Sequence, residues 1–206
     1  MEVTVLIPAF VTLLVVIDPI GLAPMFVALT KGADASHRRA VAIRACITGA
    51  IVLTVFGVFG EAVLDFVGIS MPAFRVAGGI LLFLTALDML FERRTERRKG
   101  QSANADDPSI FPLAIPLIAG PGAIATMILL SGQADDALGI LAIHLVMVAV
   151  IIMVLIFFLA AGLIERAIGD TGINVITRLL GMLLAALSVQ FVLDGLTSFG
   201  FANGLG

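Results

Sequence analysis

Six apolar stretches divide this chain, at about 3–29, 40–62, 70–91, 111–131, 138–164 and 173–197. Each reaches the roughly 20 residues that a helix needs to cross a bilayer. Little polar chain remains between them. The exception is 91–109, which reads FERRTERRKGQSANADDPS, a charged, turn-rich connection long enough to act as a linker. Composition agrees, with 60% of residues hydrophobic and 13% charged, where soluble domains carry about 25% charged residues. The expected fold is therefore an all-α membrane protein of six transmembrane helices. Met1-Glu2 provides no basic leader region, so no cleaved signal peptide is expected.

Charge orients the spans. Lys31, Arg38, Arg39 and Arg44 flank the first connection, Arg93, Arg94, Arg97, Arg98 and Lys99 fill the third, and Arg166 and Arg178 flank the fifth. The second and fourth connections hold Glu61, Asp65, Asp135 and Asp136, so that of the 12 basic residues only Arg75 lies on that side. By the positive-inside rule the basic side is cytoplasmic, and both termini are extracytoplasmic.

An internal repeat accompanies this pattern. FVTLLVVIDPIGLAPMFVALTKG in the first span and FPLAIPLIAGPGAIATMILLSGQ in the fourth align through Gly21 and Gly122, Leu29 and Leu130, and Thr30 and Ser131. FRVAGGILLFLTA and TRLLGMLLAALSV align through Arg75 and Arg178, Gly78 and Gly181, and Thr85 and Ser188. Each half holds three spans, an odd number, so the second half enters from the opposite side and the repeat is inverted. The expected layout is a single membrane domain over 1–206: one repeat at 1–91, a cytoplasmic linker at 92–110 and a second repeat at 111–206.

The first and fourth spans are both interrupted. Pro19 and Pro24, and again Pro116 and Pro121, lack the N–H that would bond the carbonyl four residues back. Gly21, Gly120 and Gly122 add backbone freedom beside them. Freed backbone groups in hydrocarbon survive only inside protein or along a wet cavity. Broken helices at matching points of an inverted repeat mark the midplane site of secondary transporters. Two proline-kinked helices packed through glycine are the plainer alternative.

At these residues the chain resembles the MarC family of bacterial inner-membrane proteins. Asp18-Pro19-Ile20-Gly21 with Pro24, Phe26 and Leu29-Thr30-Lys31-Gly32 is similar to the family's first-span signature. The run from Ile115 to Ile124, IPLIAGPGAI, is similar to its fourth-span signature. Phe74 to Gly79, Thr177 to Gly181 and Val189-Gln190-Phe191 resemble further blocks; Leu22 departs, standing where relatives often carry Asn. The resemblance implies six spans, kinship with the lysine-exporter superfamily, and cation-coupled transport of small neutral amino acids such as glycine and alanine.

Candidate site residues follow. Asp18 lies mid-span, where an aspartate costs about 2.5–3.5 kcal/mol on insertion scales, and an intramembrane carboxylate is a functional candidate by default. It is equally suited to cap the half-helix that begins at Pro19. The fourth span starts its second half with Gly120-Pro121-Gly122, without an acid, and an uncompensated helix N-terminus attracts anions. One acidic end and one open positive end suit a zwitterion, with its carboxylate at Gly122 and Ala123 and its ammonium or a coupling cation at Asp18. Arg75 and Arg178 are candidate gates or snorkelling arginines. Thr85, Ser188 and Gln190 are candidate polar lining or helix-packing contacts. His144 reads as a packed histidine. No HExxH, P-loop or GxSxG pattern is present, and Cys46 stands alone. Neither an enzymatic activity nor a cofactor or bound metal is expected, beyond a sodium ion or proton as coupling ion. The expected partners are a small-molecule substrate, the lipid bilayer and a second copy of the chain, but not nucleic acid. Two other readings are open: an ion or metal channel or exchanger using Asp18, and a non-transporting membrane assembly factor.

Overall fold

The apolar stretches become helices whose ends are set by small polar residues. In the computed structural model, which describes residues 3–91, 107–134 and 136–200, the order is α1 (Val3–Ile17), α2 (Pro19–Leu29), α3 (Ala35–Phe66), α4 (Met71–Leu90), α5 (Ser109–Ile118), α6 (Pro121–Ser131) and α7 (Ala137–Ser198). The basic run Arg93–Lys99 and the chain ends lie outside the described residues. Asp34 starts α3 by accepting the His37 N–H at 2.7 Å, and Asp136 starts α7 by accepting that of Gly139 at 2.7 Å. Such caps satisfy backbone donors that a helix start leaves open. Helix α3 begins at Ala35, ahead of the apolar stretch expected from about residue 40, because Asp34 nucleates a charged first turn outside the hydrocarbon. Helix α7 is two spans in one run. Gly169, at φ 66 and ψ 168, breaks it between Ala137–Ile164 and Thr171–Ser198, in a region that only glycine enters freely.

Among the described residues, five helical segments are long and apolar enough to span a membrane, and α5 with α6 makes a sixth if that bent pair is one span. Their outer faces are apolar: Ile47, Ile51 and Phe59 on α3, and Ile152, Ile156 and Leu163 on α7, are more than half exposed, as surfaces bathed in lipid should be. Contacts between helices rely on small residues, which let backbones approach. Gly49 of α3 lies against Ile118, and Gly60 against Ile128. Helix α4 and the second arm of α7 pack antiparallel. A Cβ at Gly79 would meet the Ser188 carbonyl at 2.8 Å, one at Gly195 the Pro72 carbonyl at 3.0 Å, and one at Gly181 the Met89 side chain at 2.9 Å. The buried core, including Leu13, Ile17, Leu22, Leu82, Met127 and Leu184, surrounds the two interrupted spans.

Candidate functional site

The first interruption is a single residue. Asp18 sits at φ 56 and ψ 66, left-handed and fully buried, a conformation that Asp and Asn tolerate best among residues with a Cβ. Pro19 supplies no N–H to the Val15 carbonyl. The Gly21 N–H turns from the helix ladder to Asp18 Oδ1, at 3.0 Å. The ladder nevertheless resumes at once, with Asp18 N–H on the Leu14 carbonyl at 2.9 Å and Leu22 N–H on the Asp18 carbonyl at 3.0 Å. The segment Leu6–Leu29 therefore remains one span. The carboxylate lies at the positive end of α2, where the helix dipole favours it. Gly21 has to be glycine, since a Cβ there would overlap the Asp18 carboxylate.

The second interruption is deeper. Within α5, Phe111 and Ile115 are extended (φ −127, ψ 125 and φ −126, ψ 122), the conformation that a following proline favours. Both peptide bonds to those prolines are cis. The helix is wound widely, with Leu113 N–H on the Pro108 carbonyl at 3.2 Å and Ala119 N–H on that of Ala114 at 2.8 Å. The axis then bends by 55° into α6. Gly120, the N-cap of α6, has no side chain to offer, and Pro121 is the first residue of the helix, so no side chain caps the N–H groups of Gly122 and Ala123. A Cβ on Gly120 would lie 2.5 Å from the Pro116 carbonyl oxygen. This N-cap cannot carry the aspartate or serine that would ordinarily serve there.

The two interruptions touch. The position of a Cβ on Gly122 is 3.3 Å from Val16, two residues before Asp18, 3.3 Å from Leu82 and 3.4 Å from the Thr85 hydroxyl. That hydroxyl donates to the Leu81 carbonyl at 3.0 Å and keeps a lone pair available. On the other side, Thr177 Oγ1 is 3.1 Å from the position of a Cβ on Gly21, buried and without a hydrogen-bond partner. Asp18, Pro19 and Gly21 thus stand with Thr177, and Gly122 stands with Val16, Leu82 and Thr85. Gly120, Pro121 and Ala123 belong to the α6 start, where Ala123 is buried and Pro121 exposed.

The remaining candidates are spread more widely. Ser188 is fully buried and donates to the Ala185 carbonyl at 2.6 Å, with its own carbonyl against Gly79. Gln190 points outward and donates to Asp194 at 2.7 Å along the same helix face. Arg75 is half-buried, with Nε enclosed and without a hydrogen-bond partner, whereas Arg178 is exposed beside Thr177. His144 bonds the Ile140 carbonyl through Nδ1 at 2.8 Å and packs its ring on Gly57. Sequence reasoning did not single out Thr177 as a site residue. The available signal was its place in the repeat, where a hydroxyl stands opposite Phe74. Among the described residues no three His, Cys, Asp or Glu side chains converge as a metal site would require.

Buried broken helices inside a shell of lipid-facing helices define a multi-pass integral membrane protein. The chain belongs to the MarC family of integral membrane proteins, whose family model matches residues 3–199. It is 38% identical over 192 residues to a UPF0056 membrane protein of Archaeoglobus fulgidus, covering 91% of this chain and 90% of that one. It is 36% identical over 193 residues to the UPF0056 inner membrane protein YhgN of Escherichia coli, covering 93% and 95%. With the UPF0056 membrane protein YvbG of Bacillus subtilis it shares 37% over 193 residues, covering 91% and 92%. No solved structure matches the chain.

Proposed function

We infer that this protein is a transporter of small neutral amino acids of the glycine and alanine class, coupled to protons or sodium ions. The observation that carries the reading is the contact between two helix interruptions of opposite electrostatic character. A zwitterion placed between them directs its carboxylate to the N–H groups of Gly122 and Ala123, where charge-assisted bonds to a helix start are strong. Its ammonium, or the coupling cation, goes to Asp18 with Thr177 beside it. Glycine at 122, with Val16 and Leu82 next to it, leaves room for a hydrogen or a methyl but not for a long side chain. The two halves act as inverted repeats, so that rocking of one against the other exposes the site alternately. Arg75 and Arg178 close the two faces. Residence in a bacterial inner membrane, with both termini extracytoplasmic, follows from the charge asymmetry and from the location named for YhgN.

Counterflow in proteoliposomes tests this without assuming a direction. Liposomes loaded with unlabelled alanine should accumulate labelled glycine and alanine, saturably and with dependence on a pH or sodium gradient. Ion flux without amino acid exchange would replace the reading with a channel or ion exchanger using Asp18. Absence of both would favour an assembly factor.

A further inference from the structure

Away from the two interruptions, α2, the start of α3 and the end of the first arm of α7 enclose a pocket of about 370 Å³. Its inner wall is the stacked pair Phe26 and Phe158, ring centroids 4.6 Å apart and nearly parallel. Its rim carries Arg38 and Arg39, and the Arg38 guanidinium lies 5.7 Å from the centre of the Phe26 ring, within the range of a cation–π contact that holds it over the pocket. Among the described residues neither arginine has an ion-pair partner. The nearby Asp34 is occupied as the α3 cap. The outer lip is Leu159 and Leu163, 54% and 71% exposed, continuous with the lipid-facing stripe of α7.

We propose that this pocket is a binding site for an anionic glycerophospholipid. The two guanidinium groups take the phosphate, the glycerol fills the open space beside Gly162, and the acyl chains run along Ile156, Leu159 and Leu163. Three features distinguish this from a site for free phosphate. The inner wall is a buried aromatic pair, the lip is aliphatic, and the cations among the described lining residues, Arg38 and Arg39, flank the basic first connection. Basic pockets between helices on the anionic face of a membrane recognise such head groups, and the pocket belongs to the basic side of this chain. The volume accommodates a phosphoglycerol head and leaves the chains on the open surface of α7.

Native mass spectrometry of the full chain in detergent, titrated with phosphatidylglycerol, phosphatidylcholine or inorganic phosphate, tests the assignment. The parent should retain phosphatidylglycerol in preference to phosphatidylcholine, and equimolar inorganic phosphate should not displace it. The Arg38→Gln/Arg39→Gln variant should bind phosphatidylglycerol about thirtyfold more weakly, given the contribution of each basic residue at an anionic surface. Gly162→Phe should weaken it comparably by filling the pocket, since nothing lies within 4 Å of a Cβ there. Arg44→Gln, whose partner is Asp107 outside the pocket, should bind like the parent. Lipid-free melting temperatures identify any variant that fails to fold, and Gly162→Phe, which retains both charges, then decides the question alone. Equal retention of the two lipids, displacement by phosphate, or parental affinity in Gly162→Phe would overturn the proposal. The readout is lipid retention, so it stands or falls separately from amino acid transport.

Discussion

The two interrupted spans begin their second halves alike, each with proline at the first helical position of an 11-residue helix, yet they are built on opposite principles. In the first, one left-handed aspartate turns its own carboxylate onto Gly21, the ladder resumes within a residue, and Leu6–Leu29 stays a single span. In the fourth, two prolines preceded by extended residues open the helix, and its axis turns by 55° at the break before α6. There the N-cap is a glycine that the Pro116 carbonyl keeps bare. A helix start that carries its own anion has a fixed charge pattern and offers a site to cations. A helix start that cannot be capped from within leaves its donors to an anion from outside. Proline position alone does not distinguish the two; the residue before the proline does.

The largest effect should come from removing the fixed anion. Asp18→Val loses the cap, worth up to about 2 kcal/mol, and puts a β-branched residue at positive φ, which costs about 1–3 kcal/mol more. Its melting temperature in detergent should therefore fall steeply. Asp18→Asn keeps the cap and tolerates the left-handed backbone, so it should melt near the parent while coupled counterflow is lost. Coupled transport in Asp18→Asn would reduce Asp18 to a structural cap and erase the functional half of the contrast.

Next comes the bare N-cap. Gly120→Asp places one of the best N-cap residues at an N-cap with ordinary extended geometry (φ −79, ψ 166), which elsewhere would be neutral or helpful. Here the Cβ meets a backbone carbonyl, and thermal unfolding should reveal a loss of about 1–3 kcal/mol, the range expected of overpacking. A stabilised Gly120→Asp would show that the second interruption can be capped like the first.

The two aligned glycines give a finer comparison. Gly21→Ala displaces the carboxylate from its N–H and should cost about 1–3 kcal/mol, the penalty of a buried donor left unsatisfied. At Gly122 the new methyl meets only the ends of the Val16, Leu82 and Thr85 side chains at 3.3–3.4 Å, so stability should change by no more than about 1 kcal/mol. Counterflow should nevertheless lose alanine before glycine. Unchanged alanine transport in Gly122→Ala would move the substrate elsewhere.

The smallest effect lies at the entrance to the deeper interruption, where Arg44 meets Asp107 at 3.3 Å. The Ser109 hydroxyl and N–H, with Arg44 nearby, hold the Asp107 carboxyl below its usual range. Its native state is thus favoured above the ordinary carboxylate pKa, and that contribution disappears as pH falls through the lowered value. Both side chains are about half exposed, so Arg44→Ala should cost about 0–1 kcal/mol at neutral pH. Melting curves of the two proteins should converge in acid.

Span lengths, their order and both interruptions were legible in the sequence, because hydrocarbon thickness and the missing proline N–H act locally. The depth of each interruption was less so. Pro19 and Pro24 read like Pro116 and Pro121, but the fourth span also holds Pro112, and the extended Phe111 and Ile115 before Pro112 and Pro116 widen the helix ahead of its 55° bend. The left-handed state of Asp18 was hidden as well, since Asp before Pro fits an ordinary N-cap equally. Thr177 reaches Gly21 from the far end of the chain, through packing that no local pattern encodes. The outward turn of Gln190 is a matter of helix phase, set by where Ser188 and Val192 meet Gly79.

The central claim is that the two interruptions meet and share one site, and a paired-cysteine measurement addresses it most directly. In a Cys46→Ala background, Gly78→Cys with Ala125→Cys is the reference pair, its Cβ positions 3.7 Å apart, inside the roughly 3.5–4.5 Å that a disulfide spans. The test pair is Val16→Cys with Gly122→Cys. Mild oxidation of native membranes should link both pairs, because the Gly122 position lies as close to Val16 as the reference pair's positions lie to each other. A reference pair that links while the test pair stays open would contradict the account.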